Sequence, residues 1–299
     1  MPTVFGKMGE DELARFDCMK AKLWLSSIAL SLLVGAGVGW YFQAERQSVS
    51  QSVSQSVSTS NVSADYELPK LNRNISSSAH QIKTTGRSYF ARDNQGRLVP
   101  ELREGKKYFE VREDVYNFSR LIDTAKTALI VMDPWEDSGS PFLNKHYKPT
   151  MKGSLLPLIE KSLDLNIPVI VLTNAPAENV DYSHKVHPAI EALAKSGKVH
   201  IVYHQDTDSS RFSEWLRRMS IDTLIYSGFA SNMCVIGREL GMIRMQSKGF
   251  RLFFVPEASA AVEFGESWDT GEIHKSTTLL ISHWIGELIS LKDFLLLTK

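Results

Sequence analysis

Five short apolar runs mark the second half of the chain: TALIVMD (127–133), IPVIVLT (167–173), VHIVYH (199–204), DTLIYSG (222–228) and FRLFFVP (250–256). Each is short, rich in β-branched residues and apolar at nearly every position, which reads as a strand buried on both faces. Between them lie SLLPLIEKSLDLN, HPAIEALAKSG, RFSEWLRRMS and CVIGRELGMIRMQSKG, all with helical spacing and several with Gly or Asn near their ends. This alternation predicts an α/β fold, a three-layer, doubly wound, mostly parallel sheet covered by helices on both sides. Functional side chains in such folds gather at the carboxyl ends of the strands.

The first half has a different pattern. Leu23 to Phe42, LWLSSIALSLLVGAGVGWYF, carries no charge over twenty residues and has aromatic residues near both ends. At helical rise that length matches the hydrocarbon thickness of a bilayer. A cleaved signal peptide is the competing reading, but its charged n-region would be long and no small-x-small cleavage site follows. Residues 23–42 are therefore expected to be a transmembrane signal anchor. Lys7, Arg15, Lys20 and Lys22 precede it, whereas the next fifteen residues hold only Arg46. The positive-inside rule then places the N-terminus in the cytoplasm and the rest of the chain on the periplasmic or lumenal side.

After the span, QSVSQSVSQSVS (47–58) repeats one tetrapeptide three times. It offers too little apolar surface to offset chain entropy, so 43–82 reads as a flexible tether. Turn signals at Asp-Asn-Gln-Gly and Arg-Glu-Gly break 83–115 into short strands, a β extension before the main domain. The expected division is thus 1–22, 23–42, 43–82, 83–115 and 116–299.

Composition removes several function classes. The 299 residues carry zero net charge and are 43% hydrophobic, so nothing points to nucleic acid or another polyanion as partner. The two cysteines, Cys18 and Cys234, flank the expected span, which argues against a disulfide, and no Cys-rich metal motif exists. His184 and His187 share a helical i, i+3 spacing in DYSHKVHP, yet the proline argues for a loop. No metal and no cofactor is expected.

Two strand ends carry candidate chemistry. TALIVMDPWED stops on Asp133, and DTLIYSGFASNMC runs into Cys234 where a helix is expected to begin. Unpaired N–H groups at a helix N-terminus favour thiolate, which makes Cys234 a candidate nucleophile with a lowered pKa. If the strands are adjacent, Asp133 sits beside the thiol, and base plus nucleophile is the minimum unit of covalent acyl transfer. Gly228 would permit the tight path between them, with Ser231 or Asn232 capping the helix. Trp135, Tyr203, Phe142 and Trp268 are candidate pocket walls, each of which core packing would equally explain.

These segments resemble the isochorismatase-like cysteine hydrolases over roughly residues 116–290. The likeness lies in the apolar run ending on Asp, the Gly-x-x-Ser-x-x-Cys-Val turn of GFASNMCV, the later GFRLFFVPEASAA, and EIHKSTTLL with His274. The resemblance implies that Cys234 is the nucleophile, Asp133 its base, and the N–H groups of Ala230 and Cys234 the oxyanion hole beside a cis Phe229–Ala230 peptide. It also implies a small-molecule substrate and a homo-oligomer. The family's third catalytic residue is a lysine, and the aligned position here is His204. An imidazole carries less charge at pH 7 than an ammonium, so a mildly acidic optimum is expected. Glu257 stands for an Asp, Pro134-Trp135 for Met-Gln, and TNAPAEN lacks the Asp-x-His metal motif of the nicotinamidase branch. The leading reading is a membrane-tethered hydrolase of C–N amide-type or vinyl-ether bonds. A catalytically impaired binding or scaffold protein is the alternative, and the missing lysine is its main support.

Overall fold

The computed structural model describes residues 68, 78–88, 114–175 and 185–298. The chain divides into two units, Met1–Ser60 and Asn61–Lys299. The first lies wholly outside the described residues, as do the expected span 23–42 and all but the end of the expected tether. Among the described residues no helix is long and apolar enough to cross a membrane.

Among the described residues, the second unit is built on one eight-stranded sheet. Its strands are β1 (Ala79–Ser88), β2 (Asp114–Asp123), β3 (Thr127–Met132), β4 (Val169–Thr173), β5 (Val199–Tyr203), β6 (Thr223–Phe229), β7 (Arg251–Ala260) and β8 (Glu287–Ile289). They are ordered β2-β1-β8-β7-β6-β3-β4-β5. Pairing is parallel from β8 through to β5, while β1 pairs antiparallel with both β2 and β8. All five strands expected from the apolar runs form. The chain lays down β3, β4 and β5 in one direction, then returns to place β6 on the other side of β3. The order reverses between β3 and β6, which is where doubly wound sheets open a ligand crevice.

Alternation along the strands explains the layers. On β3, Leu129 and Val131 point into one core with Leu155, Leu158, Val171 and Ile225. Ala128, Ile130 and Met132 point into the other, with Phe212, Leu216, Leu224 and Phe254. All six β3 side chains are buried, so the unbroken apolar run after Thr127 is what a sheet covered on both faces requires.

The helices depart from expectation in two places that matter for the site. First, α1 (Pro141–Thr150), opened by a Ser140 cap and Pro141, runs through a wide turn at Met151–Leu155 into α2 (Leu156–Asp164). The sequence reading began this helix only at 154. PFLNKHYKPT lacks an apolar stripe and buries only Tyr147, so its periodicity is silent. Helices α3 (Pro188–Lys195) and α4 (Ser209–Arg218) form as expected, the second capped by Asp208 accepting from Ser210 and Arg211 N–H.

Second, the long helix expected from Cys234 onward is broken. A wide turn at Ser231–Val235 runs through Ile236 and Gly237 into a non-helical bend at 238–241, and only then comes α5 (Met242–Ser247). The bend is closed by Gly241 N–H donating to Arg238 O, and the buried Tyr226 hydroxyl donates to Leu240 O at 2.8 Å. The chain ends with α6 (Ser267–Thr270), α7 (Glu272–Leu280), a wide turn at Ile281–Ile285, and α8 (Leu291–Leu295).

The domain boundaries also shift. Strand β1 starts at Ala79, inside the expected tether, and β2 crosses the boundary drawn at 115/116. Both belong to the main sheet rather than to a separate extension, because Thr84 pairs with Ile289 of β8. Arg120 of β2 closes the seam with a bidentate grip on Glu287.

Candidate active site

Asp133 follows β3 directly, and its neighbour Met132 pairs with Gly228 of β6. The adjacency of the two strand ends, a condition in the sequence argument, is met. Gly228 adopts φ +103, and a Cβ built there would lie 2.1 Å from Met132 O, so only glycine lets the strands approach this closely. The next peptide, Phe229–Ala230, is cis, and Ser231–Val235 carries Cys234 back over the end of β3. Asp133 itself takes φ 45, a region open to few non-glycine residues, and is held there by its N–H donating to Leu172 O.

Asp133 is completely buried, yet neither carboxylate oxygen accepts a well-aligned hydrogen bond. An imidazole and a guanidinium flank it instead. His204 Nε2 lies 3.6 Å from Oδ1, placed by β5, whose end is tied to β4 through His204 N–H donating to Thr173 O. Arg238 Nη2 lies 3.3 Å from Oδ2. Arg238 was not singled out in the sequence, although it stands four residues after Cys234, a spacing that shares a helix face. Its second terminal nitrogen, Nη1, donates to Asn174 Oδ1 at 3.0 Å, just past the end of β4. Four strand ends thus contribute to one spot.

The thiol does not behave as expected from its position. Burial pushes the Cys234 thiol up, Asp133 adds to the rise, and Arg238 only partly opposes it. The expected lowering fails because the helical segment is a short one, Ser231 to Gly237, and burial and Asp133 outweigh what its N–H groups supply. For Arg238, burial works to lower the guanidinium, but the negative fields of Asp133 and Cys234 more than offset it and leave it raised. Tyr147 of α1, stacked on Phe229 with ring centroids 4.2 Å apart, also faces this field. Burial, then Cys234 and Asp133, push its phenol up, so it stands at the site as a neutral hydroxyl.

The turn that bears Cys234 is pinned from outside, not capped from within. Asn232 exchanges two hydrogen bonds with the Val262 backbone, and Ser231 is bonded to His274 Nδ1 at 2.9 Å. His274 Nε2 faces the Pro256 carbonyl, which fixes the proton on Nε2 and makes Ser231 the donor to Nδ1. Glu263 accepts from the Ile273 and His274 N–H groups and anchors the start of α7. Glu257 is exposed and accepts from Leu291 N–H, away from the thiol.

Burial lowers the pKa of His274, although the Pro256 carbonyl and nearby acids oppose it, and burial alone lowers His200. Unfolded, both bind a proton near pH 6.5. Folded, both resist it until lower pH, so stability is full above about 6.5 and falls as pH drops toward the folded values. Thermal melts should therefore show the melting temperature falling between neutral and mildly acidic pH, and falling less in His200→Gln.

Two of the expected pocket walls, Trp135 and Tyr203, both neighbour Thr173 at the end of β4. Trp135 packs against the core and donates through Nε1 to Thr173 Oγ1, and Tyr203 ends β5. Phe142 is exposed and pairs with Trp268 at 5.6 Å. His184 lies outside the described residues, and His187 caps α3. Among the described residues no group of His, Cys, Asp and Glu is placed to hold a metal.

No family model matches the sequence, and no curated protein matches it. Solved structures do. One is an octameric hydrolase of unknown specificity from Escherichia coli, 18% identical over 58% of this chain and 79% of that one, with TM-score 0.43. Another is an isochorismatase from Pseudomonas putida, 17% identical over 65% and 98%, TM-score 0.43. A third is the nicotinamidase of Staphylococcus aureus, 16% identical over 55% and 97%, TM-score 0.38. The functional reading rests on the residues above and not on these likenesses.

Proposed function

We propose that this chain is an isochorismatase-like cysteine hydrolase that cleaves a C–N amide-type or vinyl-ether bond in a small molecule. The observation that carries the reading is a fully buried Asp133 beside the Cys234 thiol, at the point where the sheet order reverses. A thiol raised by burial stays protonated at neutral pH and needs a base at hand. For an amide, Asp133 takes the Sγ proton as sulfur attacks the carbonyl carbon. The resulting oxyanion is held by the N–H groups of Ala230 and Cys234. The C–N bond then breaks, the proton passes to the leaving nitrogen, and water releases the acyl group from sulfur.

The missing lysine was the main support for a scaffold, and Arg238 weakens that support. A panel of small amides assayed with the parent chain and Cys234→Ser tests the proposal. Turnover that the serine variant abolishes supports it, and turnover equal in both chains would overturn it.

We also propose that residues 23–42 tether the domain to a membrane, with the hydrolase on the non-cytoplasmic side. The charge asymmetry around those residues supports this. A reporter active only outside the cytoplasm, fused after Lys299, should be active. A silent fusion, with its cytoplasmic counterpart active, reverses the topology.

A further inference from the structure

Arg238 holds a place that neither the base nor the thiol accounts for. Its guanidinium is 3.3 Å from Asp133 Oδ2, is held on its other arm by Asn174, and lies within electrostatic reach of the Cys234 sulfur. Its backbone N–H donates to Cys234 O, so the thiol and the guanidinium share one turn of chain. We infer that Arg238 is the catalytic cation of this site, bridging base and nucleophile so that the negative charge stays paired while the proton crosses between them.

The inference rests on the hydrolase reading and adds a role to it. Before transfer the site holds a carboxylate, a guanidinium and a neutral thiol. Afterwards it holds a carboxylic acid, a guanidinium and a thiolate. One proton moves, and the summed charge of the three groups is zero in both states. A cation beside only one of the two anions would favour one end of the transfer. Placed between them, it loses one partner as it gains the other.

The other groups near the thiol cannot take this role. His204 meets Asp133 at Oδ1, the opposite oxygen, and Tyr147 offers a neutral hydroxyl. A guanidinium is charged at every working pH, and its planar fork of donors can face two anions at once. About a third of the Arg238 side chain reaches solvent, which weakens its field and leaves a route to it for bound substrate.

Alkylation of Cys234 by iodoacetamide reads the thiolate directly and needs no substrate. It is followed against pH in the full chain, with the Cys234 peptide quantified by mass spectrometry so that Cys18 does not interfere. Arg238→Met should move the titration upward by about one pH unit, and Arg238→Lys should return most of that shift. Asn174→Ala, which frees only one arm of the fork, should move it by less in the same direction. His204→Gln should leave it in place. An Arg238→Met profile superimposable on the parent, or a shift found in His204→Gln instead, overturns the proposal. If Arg238→Met does not fold, an unshifted Asn174→Ala profile overturns it equally. Failure of the hydrolase reading is a different result: amide turnover that survives Cys234→Ser, whatever the alkylation profiles show.

Discussion

Asp133→Asn should cut Cys234-dependent turnover by about a thousandfold, within the range that loss of a positioned general base produces. The thiol is raised by burial and is protonated at rest, and without Asp133 nothing takes its proton during attack or passes one to the leaving nitrogen. The asparagine keeps the shape of the side chain and its place on the positive-φ turn, a conformation that Asn tolerates as readily as Asp. The loss should appear in kcat rather than in KM, because the carboxylate is fully buried and acts on the sulfur. Removing the carboxylate also removes a neighbour that pushes the thiol up, so alkylation of Cys234 should become easier while turnover collapses. This opposition separates a base from a merely structural carboxylate. Equal loss of alkylation and turnover would mean that the substitution had damaged the turn instead.

The pH profile of turnover follows from which cation the site uses. The sequence placed His204 alone beside Asp133 and so tied activity to mildly acidic rather than neutral pH. Arg238 keeps its charge through that range, and the fields of Asp133 and Cys234 raise its pKa further. In place of the mildly acidic optimum expected from the sequence, turnover is expected to stay level through neutral pH, which a pH–rate profile checks.

What the sequence made legible was whatever the sheet dictates. Five apolar runs became five strands, whereas the adjacency of β3 and β6 was only a condition of the argument, with the family resemblance behind it. Gly228 was readable because a tight path between strand and turn calls for glycine, whereas the cis peptide was implied only by the family resemblance. What stayed hidden depended on where a helix stops. Arg238 lies in CVIGRELGMIRMQ, whose helical spacing continues past it, and on an unbroken helix it would read as one more solvated charge. The bend closed by Gly241, and Asn174 reaching from β4, aim it at Asp133. Both partners are far from Arg238 in sequence or act through the backbone, so no local pattern announces them. The i, i+4 spacing from the cysteine was the one available signal. The same break shortened the helix whose dipole the sequence argument had credited with lowering the thiol. Ser231 and Asn232 were read as caps because their residue types suit that role, but their actual partners, His274 and Val262, lie at least thirty residues away. The hairpin edge was misdivided for a related reason: DVYNFSRLID alternates and leaves Leu121 exposed, so it lacked the apolar density used to mark the other strands.

Gly228→Ala should be the most damaging single substitution for stability. A Cβ at 228 would sit 2.1 Å from Met132 O and 2.7 Å from Met132 N, both backbone atoms of a fully buried strand that cannot swing aside as a side chain can. The backbone at φ +103 adds strain of its own for any residue bearing a Cβ. Relief requires β3 and β6 to part, which breaks pairing between strands that carry both cores. Strain and overpacking together should cost at least about 3 kcal/mol, a large share of the roughly 5–15 kcal/mol by which domains are usually stable. Ser227→Ala, one residue earlier on the same buried strand, is the control. The Ser227 hydroxyl is buried without a hydrogen-bond partner, so its removal should be neutral or stabilising. Urea unfolding of the two variants would show a much lower midpoint for Gly228→Ala and an unchanged or higher one for Ser227→Ala. If Gly228→Ala unfolds at the parental midpoint, β3 and β6 have room to separate. The close approach that sets Asp133 beside Cys234 would then not depend on glycine.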